Sequence, residues 1–170
     1  MLLGGCAYKR EFLAEDFKPQ DAYLANVQID ELSIVDHREK VPNPEPTSPP
    51  AKKVKVTEQP DLGPEHRALI QQEVRNHVGT QGERYKFTVV LEKGEKNRWP
   101  SLVNDREQVA VVVRVELANA ESTSTGTGDV AYEITTARAN KEYSEKLYIK
   151  ALRVAIHQCF DALKSNRHFK

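Results

Sequence analysis

The sequence predicts an α+β domain in which a four-stranded mixed sheet, with the element order β-α-β-β-β-α, packs two helices on one face. Three patterns support this prediction. Four segments alternate apolar and polar residues, as strands with one buried face do, and two others place apolar residues at helical spacing. The last three strands are joined by short connections and should be antiparallel, whereas the first strand, the crossover helix and the second strand favour parallel pairing.

The four strand segments differ in how regular their alternation is. The first begins after Leu24, and its period slips near Asp30 and Glu31. In the other three, the residues expected to face one side are Tyr85, Phe87, Val89 and Leu91; Val109, Val111, Val113, Val115 and Leu117; and Val130, Tyr132 and Ile134. The small polar stretch STSTGTG, residues 122–128, is typical of a turn before the last strand.

Two segments have the spacing of amphipathic helices. The first begins at Pro64, which suits the first turn of a helix, and is expected to end before Gly79 as a left-handed cap. The second runs from about Asn140 to Leu163 and has an apolar stripe broad enough to cover a sheet. Cys159 lies in this stripe, so the pattern predicts a small core residue and not a reactive thiol.

The N-terminal LGGC, residues 3–6, has the order aliphatic, small, small, Cys and resembles the lipobox of bacterial lipoproteins. This resemblance implies that Cys6 receives a lipid and becomes the first residue of the mature protein, with residues 1–5 as the remnant of a signal peptide. Ala7 after Cys6 implies sorting to the outer membrane under the enterobacterial rule. The alternative is an ordinary apolar tail in which Cys6 has no special role.

The rest of the chain is predicted to form one domain with flexible appendages. Residues 6–23 show no sustained period and are interpreted as a tether between the lipid and the domain. Residues 24–164 form the α+β domain, which contains a proline-rich loop at 40–62, and residues 165–170 form a C-terminal tail. Six prolines exclude a regular hydrogen-bond ladder in the loop, which is either a solvated connector or an arm that docks a partner.

A lipobox, a polar tether and a domain of this element order resemble the small envelope lipoproteins of Gram-negative bacteria. The order of elements over residues 24–163 is similar to that of LptE-like and YajG-type lipoproteins. The resemblance implies an architecture and a cellular compartment. LptE-like function would imply plugging an outer-membrane barrel, and no residue-level motif in this chain extends the resemblance that far.

Composition argues against several classes of function. Lysine plus arginine and aspartate plus glutamate number 25 each, so no net charge attracts the chain to nucleic acid. No apolar run approaches the roughly 20 residues needed to span a bilayer. The two cysteines and five histidines have no metal-ligand spacing, and no nucleotide-binding or nucleophile motif occurs. The sequence therefore predicts no metal, no cofactor and no enzymatic activity.

Two groups of residues are candidate partner contacts. KNRWPSL, residues 96–102, places Trp99 beside Arg98 in a turn, which is common at protein or membrane interfaces, although Trp99 could equally fold back onto the core. Asp36 and Arg38 lie where the first strand meets the proline-rich loop. They could pair locally and pin the loop, but the sequence favours a solvated strand end, because exposed ion pairs are weak.

These features predict a non-enzymatic, lipid-anchored binding or assembly module at the periplasmic face of the outer membrane. Its expected partners are the membrane, through a lipid on Cys6, and an envelope protein, with no nucleic acid. The alternative is a periplasmic solute- or lipid-binding domain that uses the sheet face without helices. The residues that would line that face are Thr88, Val90, Ala110 and Val112.

Overall fold

The computed structural model describes residues 23–41, 55–100, 104–136 and 141–165. The elements of these residues are β1 (Val27–Asp36), β2 (Val56–Glu58), α1 (Pro64–His77), β3 (Glu83–Trp99), β4 (Asp105–Ala118), β5 (Thr123–Thr136) and α2 (Lys141–Lys164). The predicted α+β class and mixed sheet are confirmed, with one short strand added. Cys6, nearly all of the tether and residues 42–54 of the proline-rich loop lie outside the described residues.

The sheet has the order β1-β3-β4-β5. β1 is parallel to β3, and β3, β4 and β5 form an antiparallel meander, as the sequence predicts. The register of β1 shifts between Ile29 and Glu31, which confirms the predicted slip. β2 pairs antiparallel with the far end of β3, opposite residues 96–98. The expectation that the whole 40–62 segment lacks ladder pairing is therefore wrong for these three residues.

α2 covers the inner face of the sheet and forms the core with it. Its buried residues lie against the inward-facing row of β4, and α1 packs beside it. The fully buried residues that α2 contributes are Leu147, Ala151, Leu152, Ala155, Ile156, Cys159, Phe160 and Leu163. Neither α1 nor α2, the helices of the described ranges, combines the length and the apolar character that crossing a membrane requires.

Cys159 is part of this core, as predicted. Its side chain is buried, and Sγ donates a hydrogen bond to the carbonyl of Val113 at 3.3 Å. Burial raises the pKa of the thiol to about 12, so the thiol stays protonated at neutral pH.

The stretch STSTGTG is strand and not turn, because β5 begins at Thr123. Gly126 and Gly128 face inward, and a Cβ at either position would overlap the backbone oxygen of Cys159 or of Ala155 in α2. The backbone of the helix therefore lies directly on the strand, where no side chain fits between them. Low strand propensity at these positions is outweighed by this packing.

Gly79 has a different role from the predicted left-handed cap. α1 ends at His77, and Val78 at the C-cap is extended, with ψ 144°. A Cβ on Gly79 would overlap the backbone of Ala25, which passes alongside. The residue with positive φ is instead Gly82, at 116°. Both glycines allow the start of the domain to run close to the α1–β3 connection.

Replacing Gly128 by Val should destabilise the domain by about 3 kcal/mol, because the added side chain forces α2 away from β5. Chemical denaturation measures the change. Thr127→Val, at the neighbouring exposed position of β5, is the matched control and should change the free energy of unfolding by less than about 1 kcal/mol. Equal effects of the two variants would contradict the close packing described here.

Candidate functional site

Asp36 and Arg38 pair at the end of β1, where Asp36 is exposed and the side chain of Arg38 is buried and reaches toward the chain that follows β2. Nε and Nη2 of Arg38 each donate to one carboxylate oxygen of Asp36 at 2.7 Å, and Nη1 donates to the carbonyl of Pro60, also at 2.7 Å. Only 5% of the Arg38 side chain is exposed. The hydrogen bonds to Arg38 hold the pKa of the Asp36 carboxyl below its ordinary value. The local pair that the sequence analysis gave as one alternative is present, and Arg38 forms a junction between the end of β1 and Pro60, near the end of the proline-rich loop.

A glycine and a tyrosine complete this junction. Gly94 leaves room for the guanidinium, since a Cβ there would lie 3.2 Å from Arg38 Nη1 and 2.6 Å from the hydroxyl of Tyr148. Tyr148 is almost fully buried, and this burial raises its pKa to about 12. The junction thus connects the edge of the sheet to α2.

Trp99 and Arg98 point to opposite faces of the sheet, because they are neighbours at the end of β3. Trp99 is half-buried and is not part of the described core, so it does not fold back onto that core as one alternative held. The guanidinium of Arg106 lies 4.9 Å from its ring centroid, and Nζ of Lys55 lies 5.9 Å from it. Trp99, Arg106 and Lys55 form what we call the Trp99 surface.

Arg98 belongs to a cleft of about 420 Å³ on this end of the sheet. Its lining comes from β2, the end of β3, the start of β4 and the first turn of α2. The lining residues are Val56, Glu58, Lys96, Asn97, Arg98, Glu107, Gln108 and Ser144. We call it the Glu107 cleft.

Lys96 is a buried cation at the centre of a polar cluster beside this cleft. Its side chain is 7% exposed, and Nζ lies 3.2 Å from the Glu145 carboxylate and 3.7 Å from that of Glu58. His66 contacts the same carboxylate of Glu145 through Nε2 at 3.0 Å. A bulge at β3 between Leu91 and Lys93 reverses the alternation, which places Lys96 on the inner face.

Glu107 is the residue of the cleft that the sequence analysis missed. It is 5% exposed, and its Oε2 atom has no hydrogen-bond partner. Burial raises the pKa of its carboxyl, partly offset by the charge of Arg98. A signal was present in the sequence, because Glu107 occupies the same inward-facing parity as Val109 and Val111.

A second polar cluster joins the start of the domain to both helices. Nδ1 of His77 lies 2.6 Å from the Glu73 carbonyl, which can only accept, so this nitrogen carries the ring proton. His77 Nε2 then accepts from His157 Nδ1 at 3.2 Å, and His157 Nε2 accepts from the Tyr23 hydroxyl at 3.1 Å. These hydrogen bonds link the start of the domain to α1 and α2.

Other charged groups border the histidine cluster. Asp161 lies 3.3 Å from His157 Nε2, Arg153 pairs with Glu73 at 3.0 Å, and Nζ of Lys164 lies 5.0 Å from the centroid of the Tyr23 ring. Burial lowers the pKa of His77 and of His157, and the charge of Asp161 opposes this for His157.

Within the described ranges, no group of three or more His, Cys, Asp or Glu side chains could hold a metal ion.

Comparison with known proteins gives no family for this chain. No family model and no curated protein matches it. Among solved structures, a minor lipoprotein from Acinetobacter baumannii matches with a TM-score of 0.31 and 10% identity, over 78% of this chain and 87% of that chain. A similarity this weak supports no transfer of fold or function. The resemblance to LptE-like and YajG-type lipoproteins therefore rests on element order alone.

Replacing Arg38 by Lys should lower the free energy of unfolding by about 2 kcal/mol. A single ammonium cannot make the two parallel hydrogen bonds to the Asp36 carboxylate and the third to the Pro60 carbonyl that the guanidinium makes. Hydrogen exchange should quicken at the β2 amides. Arg114→Lys is the control, since Arg114 forms more exposed pairs with Glu92 and Glu116 and should lose about 0.5 kcal/mol. Unchanged exchange at β2 in Arg38→Lys would contradict the junction.

The histidine cluster should make stability depend on pH. Because the folded pKa values of His77 and His157 lie below the ordinary 6.5, the unfolded chain binds protons first as the pH falls. The free energy of unfolding should therefore decrease from about pH 6.5 down to the folded pKa values. Urea denaturation between pH 8 and pH 5 should show a smaller decrease in His157→Gln than in wild type and in the exposed-site control His37→Gln. Identical pH profiles in all three proteins would refute this account.

Proposed function

We propose that this chain is a non-enzymatic, lipid-anchored protein of the bacterial cell envelope that binds an envelope protein and supports its assembly at the periplasmic face of the outer membrane. We infer the binding role from the Trp99 surface. An indole ring outside the core, half-exposed and next to two cations, has the composition of a protein-interface hot spot.

The position of the Trp99 surface favours a partner contact over a role in stability. Trp99 lies at the end of β3 and is paired in register with Arg106 of β4. Arg106 in turn donates to Glu133 of β5 at 2.6 Å, so the cation above the ring is held by a third strand. An indole side chain has only two rotatable bonds, so it loses little conformational entropy when a partner covers it.

Lipid anchoring is supported by the sequence LGGC, in which Cys6 is the residue that would carry the lipid. Anchoring would hold the domain near the membrane and raise its effective concentration for envelope partners. One lipid chain gives only reversible membrane binding, so stable attachment requires more than one chain.

The alternative function, binding of a solute or lipid on the helix-free sheet face, is not supported by the two clefts found among the described residues. Neither the Glu107 cleft nor a second cleft, of about 370 Å³, has Thr88, Val90, Ala110 or Val112 in its lining. Val90 and Ala110 are already buried, at 2% and 9% exposure. We therefore do not propose that function.

Trp99→Ala should reduce capture of the envelope partner at least tenfold, because hot-spot truncations remove about 2 kcal/mol or more of binding energy. The measurement is a quantitative pull-down from solubilised envelopes with the full-length protein as bait. Trp99→Phe keeps an aromatic ring and should retain part of the capture, and Glu116→Gln, at the other end of β4, should retain all of it. Full capture by Trp99→Ala would exclude the Trp99 surface as the contact.

Replacing Cys6 by Ser should abolish metabolic labelling of the full-length precursor by a palmitate analogue. The control is Cys159→Ser, which keeps Cys6 and should keep the label if the variant accumulates. Absence of label on the wild-type precursor, or label that persists in Cys6→Ser, would exclude lipid anchoring at this position.

A further inference from the structure

The Glu107 cleft contains a carboxylate whose interactions are incomplete. Glu107 is nine-tenths buried, lines the cleft and has no hydrogen-bond partner at Oε2. A buried carboxylate oxygen without a donor is unfavourable, and native proteins almost always provide one. Glu107 is therefore a carboxylate of the cleft lining whose capacity to accept hydrogen bonds is not fully used.

The charges around the cleft indicate the sign of a group that would pair with Glu107. The described carboxylates of the cleft and its border outnumber the described cations by four to two. They are Glu58, Asp105, Glu107 and Glu145 against Lys96 and Arg98. Lys96 is shared by Glu58 and Glu145, and Nε of Arg98 lies 3.8 Å from Asp105. Both cations lie close enough to act on the charge of Glu107, but neither donates a hydrogen bond to its Oε2 atom, and the carboxylates remain in excess.

We propose that the Glu107 cleft is a binding site for a cationic nitrogen group, a guanidinium or a primary ammonium, that pairs with the carboxylate of Glu107. Such a group supplies a hydrogen-bond donor and compensates the surplus of carboxylates at once. An anion would face the unpaired carboxylate and would have to compete for Lys96 and Arg98. A volume of about 420 Å³ is at the lower end of ligand pockets and suits a group of side-chain size.

The cation could belong to a free solute or to a basic side chain of a protein partner, because the chemistry at Glu107 is the same. The site does not depend on lipid anchoring or on the Trp99 surface, which lies on the other face of the sheet. Failure of the proposed function would therefore leave this inference standing, and the reverse also holds.

The test is a titration of the purified full-length protein with N-acetyl-argininamide, whose only charge is the guanidinium, followed by amide chemical shifts. N-acetyl-lysinamide tests the ammonium, and N-acetyl-citrullinamide is the uncharged isostere of the arginine probe. We expect either cationic probe to shift resonances of residues 96–98, 107–108 and 144. The citrulline probe should bind at least about tenfold more weakly, because it lacks the charge.

Two variants assign the binding to the carboxylate. Glu107→Gln keeps the shape of the side chain and should weaken the binding of the cationic probe at least about tenfold, whereas Glu116→Gln should not change it. Equal binding of the charged and uncharged probes, unchanged binding by Glu107→Gln, or no shift at the cleft would each overturn the proposal. The comparison of probes uses wild-type protein, so it remains decisive if Glu107→Gln fails to fold.

The source of the cation is settled by a second measurement on the same variants. If a partner side chain occupies the cleft, Glu107→Gln should reduce capture of the partner that wild type retains from solubilised envelopes. If a free solute occupies it, capture should be unchanged while binding of the cationic probe is still lost.

Discussion

The close packing of the α2 backbone on β5 positions the rest of the domain. Gly126 and Gly128 leave no side chain between strand and helix, so the position of α2 is set by backbone contact. Both polar clusters depend on that placement. One end of α2 brings Glu145 and Tyr148 to the sheet end that carries the Glu107 cleft, and the other brings His157 to α1. A shift of the helix would disturb both sites.

Two strands, β1 and then β2, pair in succession with the same side of β3. The cleft lies at the end of β3 where β2 has taken the place of β1. β1 pairs with β3 up to Leu91, and β2 begins its pairing opposite Lys96. In between, Arg38 occupies the space that Gly94 leaves free. The bulge just before Gly94 reverses the alternation of β3, and it therefore selects Gly94, Lys96 and Arg98 for the inner face. The apolar row ends at Leu91 because the sequence of β3 is polar from Glu92 to Arg98.

The sequence predicts those parts of this structure that depend on local pattern. The alternation of β4 and the apolar stripe of α2 identify the sheet and the helix that covers it, and the slip in β1 is visible in its period. Contacts between distant segments leave no such signal. STSTGTG appears as a turn because its glycines are explained only by α2, about 30 residues later in the chain. His77 and His157 are 80 residues apart and meet only through helix packing. Glu107 could have been found as a charge in an apolar row, while the role of Cys6 stays a prediction.

The way in which the chain enters the domain has a mechanical consequence. Leu24 is fully buried, receives a hydrogen bond from the Gly79 amide at 2.9 Å and donates one to the His77 carbonyl at 3.0 Å. Tyr23 is held beside it by His157. A pulling force applied through the preceding residues would therefore load this attachment before it reached the ladder between β1 and β3. If the protein is tethered at its N-terminus, the joint between α1 and α2 would bear the strain and shield the sheet from it.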